Sequence, residues 1–214
     1  EMMSLIEMKL QEFVQEVDAA TPAPGGGSVA ALAVAQGIAL FRMVGQLTMA
    51  KKKFQTLTSD QQSDFRKRLE ELLLLENKAF DLIEQDTEAF NNILKAVRLP
   101  KESPEEEAKR NMAINETTIT ATEVPMETAK VALQSLELAA PLFPLIIKSA
   151  VSDMGVGALM AHSGMLGAEM NVKINASGLD EATKNAYFQL IEALVRRGTA
   201  YKDEIIQKVN REFH

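Results

Sequence analysis

The stretch TPAPGGGSVAALAVAQGIALFRMVGQLTMA, residues 21–50, decides the architecture. Its opening, Thr21 to Ser28, packs two prolines and three consecutive glycines into eight residues. Proline fixes φ and glycine carries no side chain, so this reads as a stiff turn followed by bare backbone. From Ser28 to Ala50 the only charged residue is Arg42. A helix apolar all round belongs at the centre of a bundle. Its length also admits a membrane span. Arg42 well inside it, Gln36 and Gln46, and an apolarity that is largely alanine argue instead for a buried helix in a soluble protein. Ala30, Ala31, Ala33, Gly37 and Gly45 let neighbouring helices approach closely. Bare N–H groups at the head of such a helix suit a polar or anionic ligand. No strand pattern precedes Gly25-Gly26-Gly27 and no Gly-Lys-Ser/Thr follows, so this is neither a Walker A loop nor a dinucleotide fingerprint.

The rest of the chain agrees with an all-α reading. Among 214 residues there is no Trp, and Ala, Leu, Glu and Met are abundant, a bias toward helix. A net charge of −7 disfavours nucleic-acid backbones. Cysteine is absent, which excludes disulfides, thiolate catalysis and Cys-ligated metals. Glu1 to Lys9 lacks the basic and apolar order of a signal peptide, so a cytoplasmic protein is expected.

Six helical segments are expected, forming a six-helix bundle with a central apolar helix in a single domain, 1–214. The first covers about Ser4 to Ala19 and the second about Gly27 to Lys52. The third covers Ser59 to Val97 and stops at Leu99-Pro100. Ser103, Pro104 and Glu106 then form an N-cap, a first helical position and a capping box. That fourth helix runs to about Leu138, with Pro125 as a kink or break. The fifth spans about Ile146 to Ile174 and the sixth Glu181 to Arg211.

Asp86 is the leading candidate for chemistry. One turn away on the third helix lie Leu82, Ile83, Ala89 and Phe90, so a carboxylate sits on the apolar stripe. Apolar surroundings push a carboxyl pKa upward, toward the range useful for proton transfer. The alternative is a structural Asp, paired with Arg42 or capping a neighbouring helix. Asp153 repeats the theme: a continuous helix places it on one face with Gly157, Gly164, Asn171 and Asn175. Those glycines either admit a ligand or let helices pack tightly. Lys51, Lys52 and Lys53 complement the dipole at the end of the second helix, or steer an acidic substrate. His162 and His214 fit no metal-binding spacing, so no metal site is expected.

Thr21 to Ala31, Met43-Val44, Asp86 to Phe90, Arg98 to Lys101, Pro125, Ser152-Asp153 and Asn171 to Asn175, in that order, resemble the cyclodeaminase/cyclohydrolase family. The resemblance covers nearly the whole chain. It implies a multi-helix bundle, assembled as a homodimer, acting on one-carbon folates. The implied reaction converts formiminotetrahydrofolate to methenyltetrahydrofolate and ammonia. The alternatives are a methenyltetrahydrofolate cyclohydrolase or a non-catalytic folate-binding protein. Asp86 matches the family's acid/base. Gly25, Gly26, Gly27 and Ser28 would bind substrate with Asp153, Asn171 and Asn175, while Lys51 and Lys52 would meet a polyglutamylated tail. The tetrahydrofolate derivative is substrate, and no cofactor is implied because the carbon's oxidation level does not change. At Ile146 to Ser149 and at Gly45-Gln46 the chain departs from the family pattern, so the substrate class carries over further than the particular reaction.

Overall fold

The Pro/Gly turn ends where Gly25, extended at φ −127° and ψ −154°, hands over to helix α2, Gly26–Met49. The computed structural model describes residues 4–213; Glu1 to Met3, where the leader-peptide reading begins, and His214 lie outside the described residues. Ahead of α2 comes α1, Leu10–Val17, and after it a single turn, α3, Lys52–Gln55. Thr58 then starts α4, Ser59–Val97, through a capping box with Gln61. Ser103 starts α5, Pro104–Ala139, in the same way: its Oγ accepts the Glu106 N–H and the Glu106 carboxylate accepts the Ser103 N–H. Helix α6 is Val151–Ala176, and α7 is Glu181–Arg211, capped by Asp180. Among the described residues there is no strand.

Two boundaries differ from expectation, one through a contact distant in sequence and one through nearby prolines. The N-terminal segment is a 3-10 turn, Leu5–Glu7, then α1, rather than one helix from Ser4 to Ala19. The Ser4 hydroxyl and the Ile6 N–H both donate to Glu84 on α4, at 2.6 and 3.0 Å, and Met8 and Lys9 are extended. A straight helix through Met8 would break that tether. Pro141 and Pro144 hold Ala140–Leu145 as a 3-10 segment, so α6 begins at Val151 and not at Ile146. The Ile147 N–H there donates to Thr48 Oγ1 at 3.2 Å, tying this turn to the end of α2. Pro125 does not interrupt α5.

The core lies where α2, α4, α5, α6 and α7 meet. Ile38, Phe41, Leu72, Met126, Leu136, Met165 and Ile191 are fully buried in it. Each contributes about 1.5–3 kcal/mol of burial. The exposed ion pairs, at roughly 0–1 kcal/mol each, are secondary. Helices α2 and α6 run antiparallel in close contact. Side chains at Gly37, Gly157 or Gly164 would run into the facing helix: Gly37 abuts the Gly157 carbonyl, and Gly164 abuts the Ala30 carbonyl. The glycines of α6 therefore serve packing and do not open a ligand channel.

By length and composition α2 could cross a membrane. Here most of its circumference is core, but not all. Val29, Gln36, Met43 and Leu47 reach solvent, so the helix expected to be buried all round keeps one open side. Arg42 points into the α2–α4 seam, where its Nη1 donates to Glu76 at 2.5 Å. Its Nε is buried without a partner.

Candidate functional site

The head of α2 and the middle of α4 build the site together. Gly27 places no side chain on the first turn of α2, and the Asp86 carboxylate fills the space a Cβ would need. The Ser28 N–H, one of the free donors of that turn, donates to Asp86 Oδ2 at 2.9 Å. The buried Ser28 hydroxyl donates to the Ile83 carbonyl at 2.8 Å, and it lies 3.3 Å from Asp86 Oδ2 and 3.2 Å from Thr87 Oγ1. Asp86 thus caps α2, as one of the two structural alternatives had it. It does not pair with Arg42, which Glu76 holds.

Asp86 also faces a cavity of about 270 Å³. Gly25, Gly26 and Gly27 form one wall, Phe90 and Ile93 of α4 a second, and Asn171, Ile174 and Asn175 of α6 a third. Pro22 and Ala23 close it from the turn and Ala121 from α5. None of the lining residues is Lys or Arg. Burial raises the Asp86 pKa above its ordinary value, and this outweighs the two Ser28 hydrogen bonds that pull it down. The result is a half-buried carboxyl group with increased proton affinity at the positive end of a helix.

Pro125 explains the position of Asn175. Proline has no N–H, so the Ala121 carbonyl, one turn back on α5, is left without its helical partner. The Asn175 side-chain amide donates to that carbonyl at 2.7 Å, bridging α6 to α5. Asn171 is fixed differently, by donation from its Nδ2 to the Gly167 carbonyl at 2.8 Å. Neither Asn Oδ1 takes a hydrogen bond from a described residue, and both side chains line the cavity.

Of the residues singled out from sequence, Asp86, Gly25, Gly26, Gly27, Asn171 and Asn175 come together. Ser28 lies behind Asp86, fully buried, and acts on the carboxylate rather than on the cavity. Lys51 and Lys52 do not join them within one chain. They follow the far end of α2, a helix of 24 residues and so about 36 Å long. Asp153 lies in the first turn of α6, 18 residues from Asn171 and about 27 Å away along the axis. His162 is a packed helix residue: Nε2 meets Thr199 Oγ1 of α7 at 2.9 Å, and burial lowers its pKa, with Lys202 adding to the effect. Sequence reasoning passed over Ile93, Ala121 and Ile174 as parts of the site, since walls built of ordinary apolar residues leave no signal.

Comparison with known proteins gives a consistent set. A model of the formiminotransferase-cyclodeaminase family matches residues 9–192. A methenyltetrahydrofolate cyclohydrolase from Methylorubrum extorquens is 33% identical over 201 residues, covering 94% of this chain and 95% of that protein. The formimidoyltransferase-cyclodeaminase of Mus musculus is 34% identical over 194 residues, covering 90% of this chain but only 35% of that longer protein. In fold, the chain matches the crystal structure of formiminotetrahydrofolate cyclodeaminase from Thermotoga maritima with a TM-score of 0.83 at 24% identity, covering 96% and 98% of the two chains.

Proposed function

The chain belongs to the formiminotransferase-cyclodeaminase family, and we propose that it closes formiminotetrahydrofolate to methenyltetrahydrofolate with release of ammonia. The observation that carries this is Asp86: a carboxyl group of raised proton affinity, held by Ser28, facing a cavity at the bare head of a helix.

In the reaction, one tetrahydrofolate nitrogen carries the formimino carbon and the second nitrogen attacks it. The attacking nitrogen gives up its proton and the amine must gain one to depart as ammonia. Asp86 takes the first proton as a base and delivers it as an acid, so the group ends as it began. The protonated formimino group and the methenyl product are both cationic, and a neighbouring carboxylate stabilises them. The N–H groups of Gly26 and Gly27 and the free Oδ1 atoms of Asn171 and Asn175 offer polar contacts that orient the pterin. In this reading the enzyme is a cytoplasmic homodimer whose substrate carries a polyglutamate tail.

A second reading has a specific basis: the Methylorubrum extorquens relative, matched over nearly its full length, is a cyclohydrolase. There water replaces the amine and the same acid/base serves. Adding the formimino substrate separates the two. A rise in methenyltetrahydrofolate absorbance with stoichiometric ammonia supports the cyclodeaminase. Decay of added methenyltetrahydrofolate, without any action on the formimino compound, assigns the cyclohydrolase.

A further inference from the structure

The Thr87 hydroxyl breaks a habit that other helical threonines of this chain keep. Thr48, Thr117, Thr118, Thr122, Thr128 and Thr199 each donate to the carbonyl four residues back, at 2.7–3.3 Å. A helix offers that acceptor to any threonine, so the bond is the default for a partly buried one. For Thr87 the acceptor would be the Ile83 carbonyl, and the Ser28 hydroxyl of α2 has taken it, at 2.8 Å. Thr87 Oγ1 turns instead to Ser28 Oγ, 3.2 Å away, its one hydrogen-bond partner among the described residues.

We propose that Thr87 is a positioning residue for the proton transfer: it holds the Ser28 hydroxyl between the Ile83 carbonyl and Asp86 Oδ2, so that the hydroxyl turns from one to the other as Asp86 changes charge. This deepens the folate reading and rests on it for the reaction, while the hydroxyl contacts stand apart from it.

Ile83, Asp86 and Thr87 are spaced i, i+3 and i+4 on α4 and so share the face that meets the head of α2. Ser28 Oγ carries one proton and two lone pairs. Three oxygens stand around it: the Ile83 carbonyl at 2.8 Å, Thr87 Oγ1 at 3.2 Å and Asp86 Oδ2 at 3.3 Å. The carbonyl only accepts, and so does Asp86 while ionised. One proton cannot serve both. Thr87 always has a proton to give, and it fills a Ser28 lone pair in either arrangement. The Ile83 carbonyl is not stranded when the Ser28 proton turns away, because the Thr87 N–H bonds to it along α4.

The proposed reaction needs both arrangements. Asp86 is ionised before it takes the first proton and neutral until it delivers that proton. While it is ionised, the hydroxyl is drawn to it, since charge-assisted hydrogen bonds are about twice as strong as neutral ones. While it is neutral, the hydroxyl returns to Ile83. No bond of Ser28 or Thr87 is made or broken; a hydroxyl turns. The Ser28 N–H, 2.9 Å from Asp86 Oδ2, cannot turn and keeps the carboxyl group in place throughout. A hydroxyl that accepts one hydrogen bond donates a stronger one, by roughly 10–30%. Thr87 thereby favours ionised Asp86, and it does so through Ser28.

No charged group competes for this role. On α4, Glu84 is held by Ser4 and Ile6, and Glu88 is exposed. Arg42 of α2 is tied to Glu76. Glu123 of α5 accepts from Tyr187, and Lys173 of α6 lies between Glu169 and Glu192. Burial and the two Ser28 contacts, with no charged neighbour, set the proton affinity of Asp86.

Thr87→Val keeps the shape and removes the hydroxyl, while Thr87→Ser keeps the hydroxyl and removes the methyl group. The Asp86 carboxyl carbon, labelled with carbon-13 and identified by its loss in Asp86→Asn, reports its own titration without any substrate. In Thr87→Val that titration is expected to move up by about 0.3–0.5 pH unit, and kcat/KM on the acid limb to fall about two- to threefold with it. Thr87→Ser is expected to titrate as wild type. In a Ser28→Ala background, adding Thr87→Val is expected to move nothing further, since the two residues act in series. If helical circular dichroism shows that Thr87→Val does not fold, Thr87→Ala carries the same test. An unchanged or lowered Asp86 titration in the variant without the hydroxyl overturns the proposal. So does an equal rise in Thr87→Ser, or a further rise in the double variant. If the wild type does not turn over folates, the function fails while the carboxyl titration still decides the role of Thr87. If turnover holds and the titration does not respond, the positioning role alone fails.

Discussion

The Asp86 carboxylate occupies the volume that a side chain at Gly27 would fill. The glycine is there because an acid stands against the first turn of the helix, and the acid can stand there because the glycine leaves room. Any side chain at position 27 would have to displace the Asp86 carboxylate.

Gly27→Ala keeps the helix, since alanine favours it. The new methyl group displaces the Asp86 carboxyl by about an ångström, and a misplacement of that size costs about a hundredfold in rate. Steady-state kcat should fall by that order while helical circular dichroism is unchanged. An active Gly27→Ala enzyme would mean that Asp86 is free to move without consequence.

Ser28→Ala removes a hydrogen bond that lowers the Asp86 pKa and leaves the desolvation that raises it. The pKa therefore climbs further. If Asp86 must be ionised to accept the first proton, the acid limb of the kcat/KM profile moves to higher pH. A limb that stays in place, or shifts to lower pH, would contradict the assignment.

Asp86→Asn should lose activity without losing stability at neutral pH. A raised folded-state pKa means that the folded protein binds the proton more tightly than the unfolded chain. Stability from this group is present below the ordinary aspartate value of 3.8 and is lost as pH rises through the folded-state pKa. Asparagine still accepts the Ser28 N–H and carries no such loss. Urea midpoints measured from pH 4 to 8 should show wild type weakening relative to Asp86→Asn as pH increases. The opposite slope would show that the carboxylate is net stabilised in the fold.

Pro125→Ala separates folding from function in another way. Proline inside a helix costs about 3 kcal/mol relative to alanine. Alanine restores an N–H for the Ala121 carbonyl, which Asn175 now takes. The variant should gain thermal stability and bind substrate several-fold more weakly, read as KM. Unchanged KM would make the Asn175 bridge a packing feature only.

These residues also mark what a sequence can and cannot convey. Helix starts and stops were legible wherever chemistry is local: the Ser103-Pro104-Glu106 cap and the stop at Leu99-Pro100. The N-terminal break at Met8 was not legible, because Glu84, far along the chain, imposes it. Asp86 stood out because a carboxylate on an apolar stripe is anomalous within its own helix. The Ser28 contact, the Arg42–Glu76 pair and the Ala121 carbonyl freed for Asn175 are long-range pairings, invisible to periodicity. The glycines of α6 were ambiguous for the same reason: only the facing helix shows that they pack against α2. Lys51 and Lys52 were grouped with the site by residue type, whereas within one chain the length of α2 keeps them from it.

The most direct measurement is turnover of formiminotetrahydrofolate by wild type and Asp86→Asn, followed by methenyltetrahydrofolate absorbance and by ammonia. The account predicts that wild type yields both products and that Asp86→Asn, with its helical signal intact, is slower by a hundredfold or more. Equal turnover in the two proteins would contradict it and remove Asp86 from the chemistry.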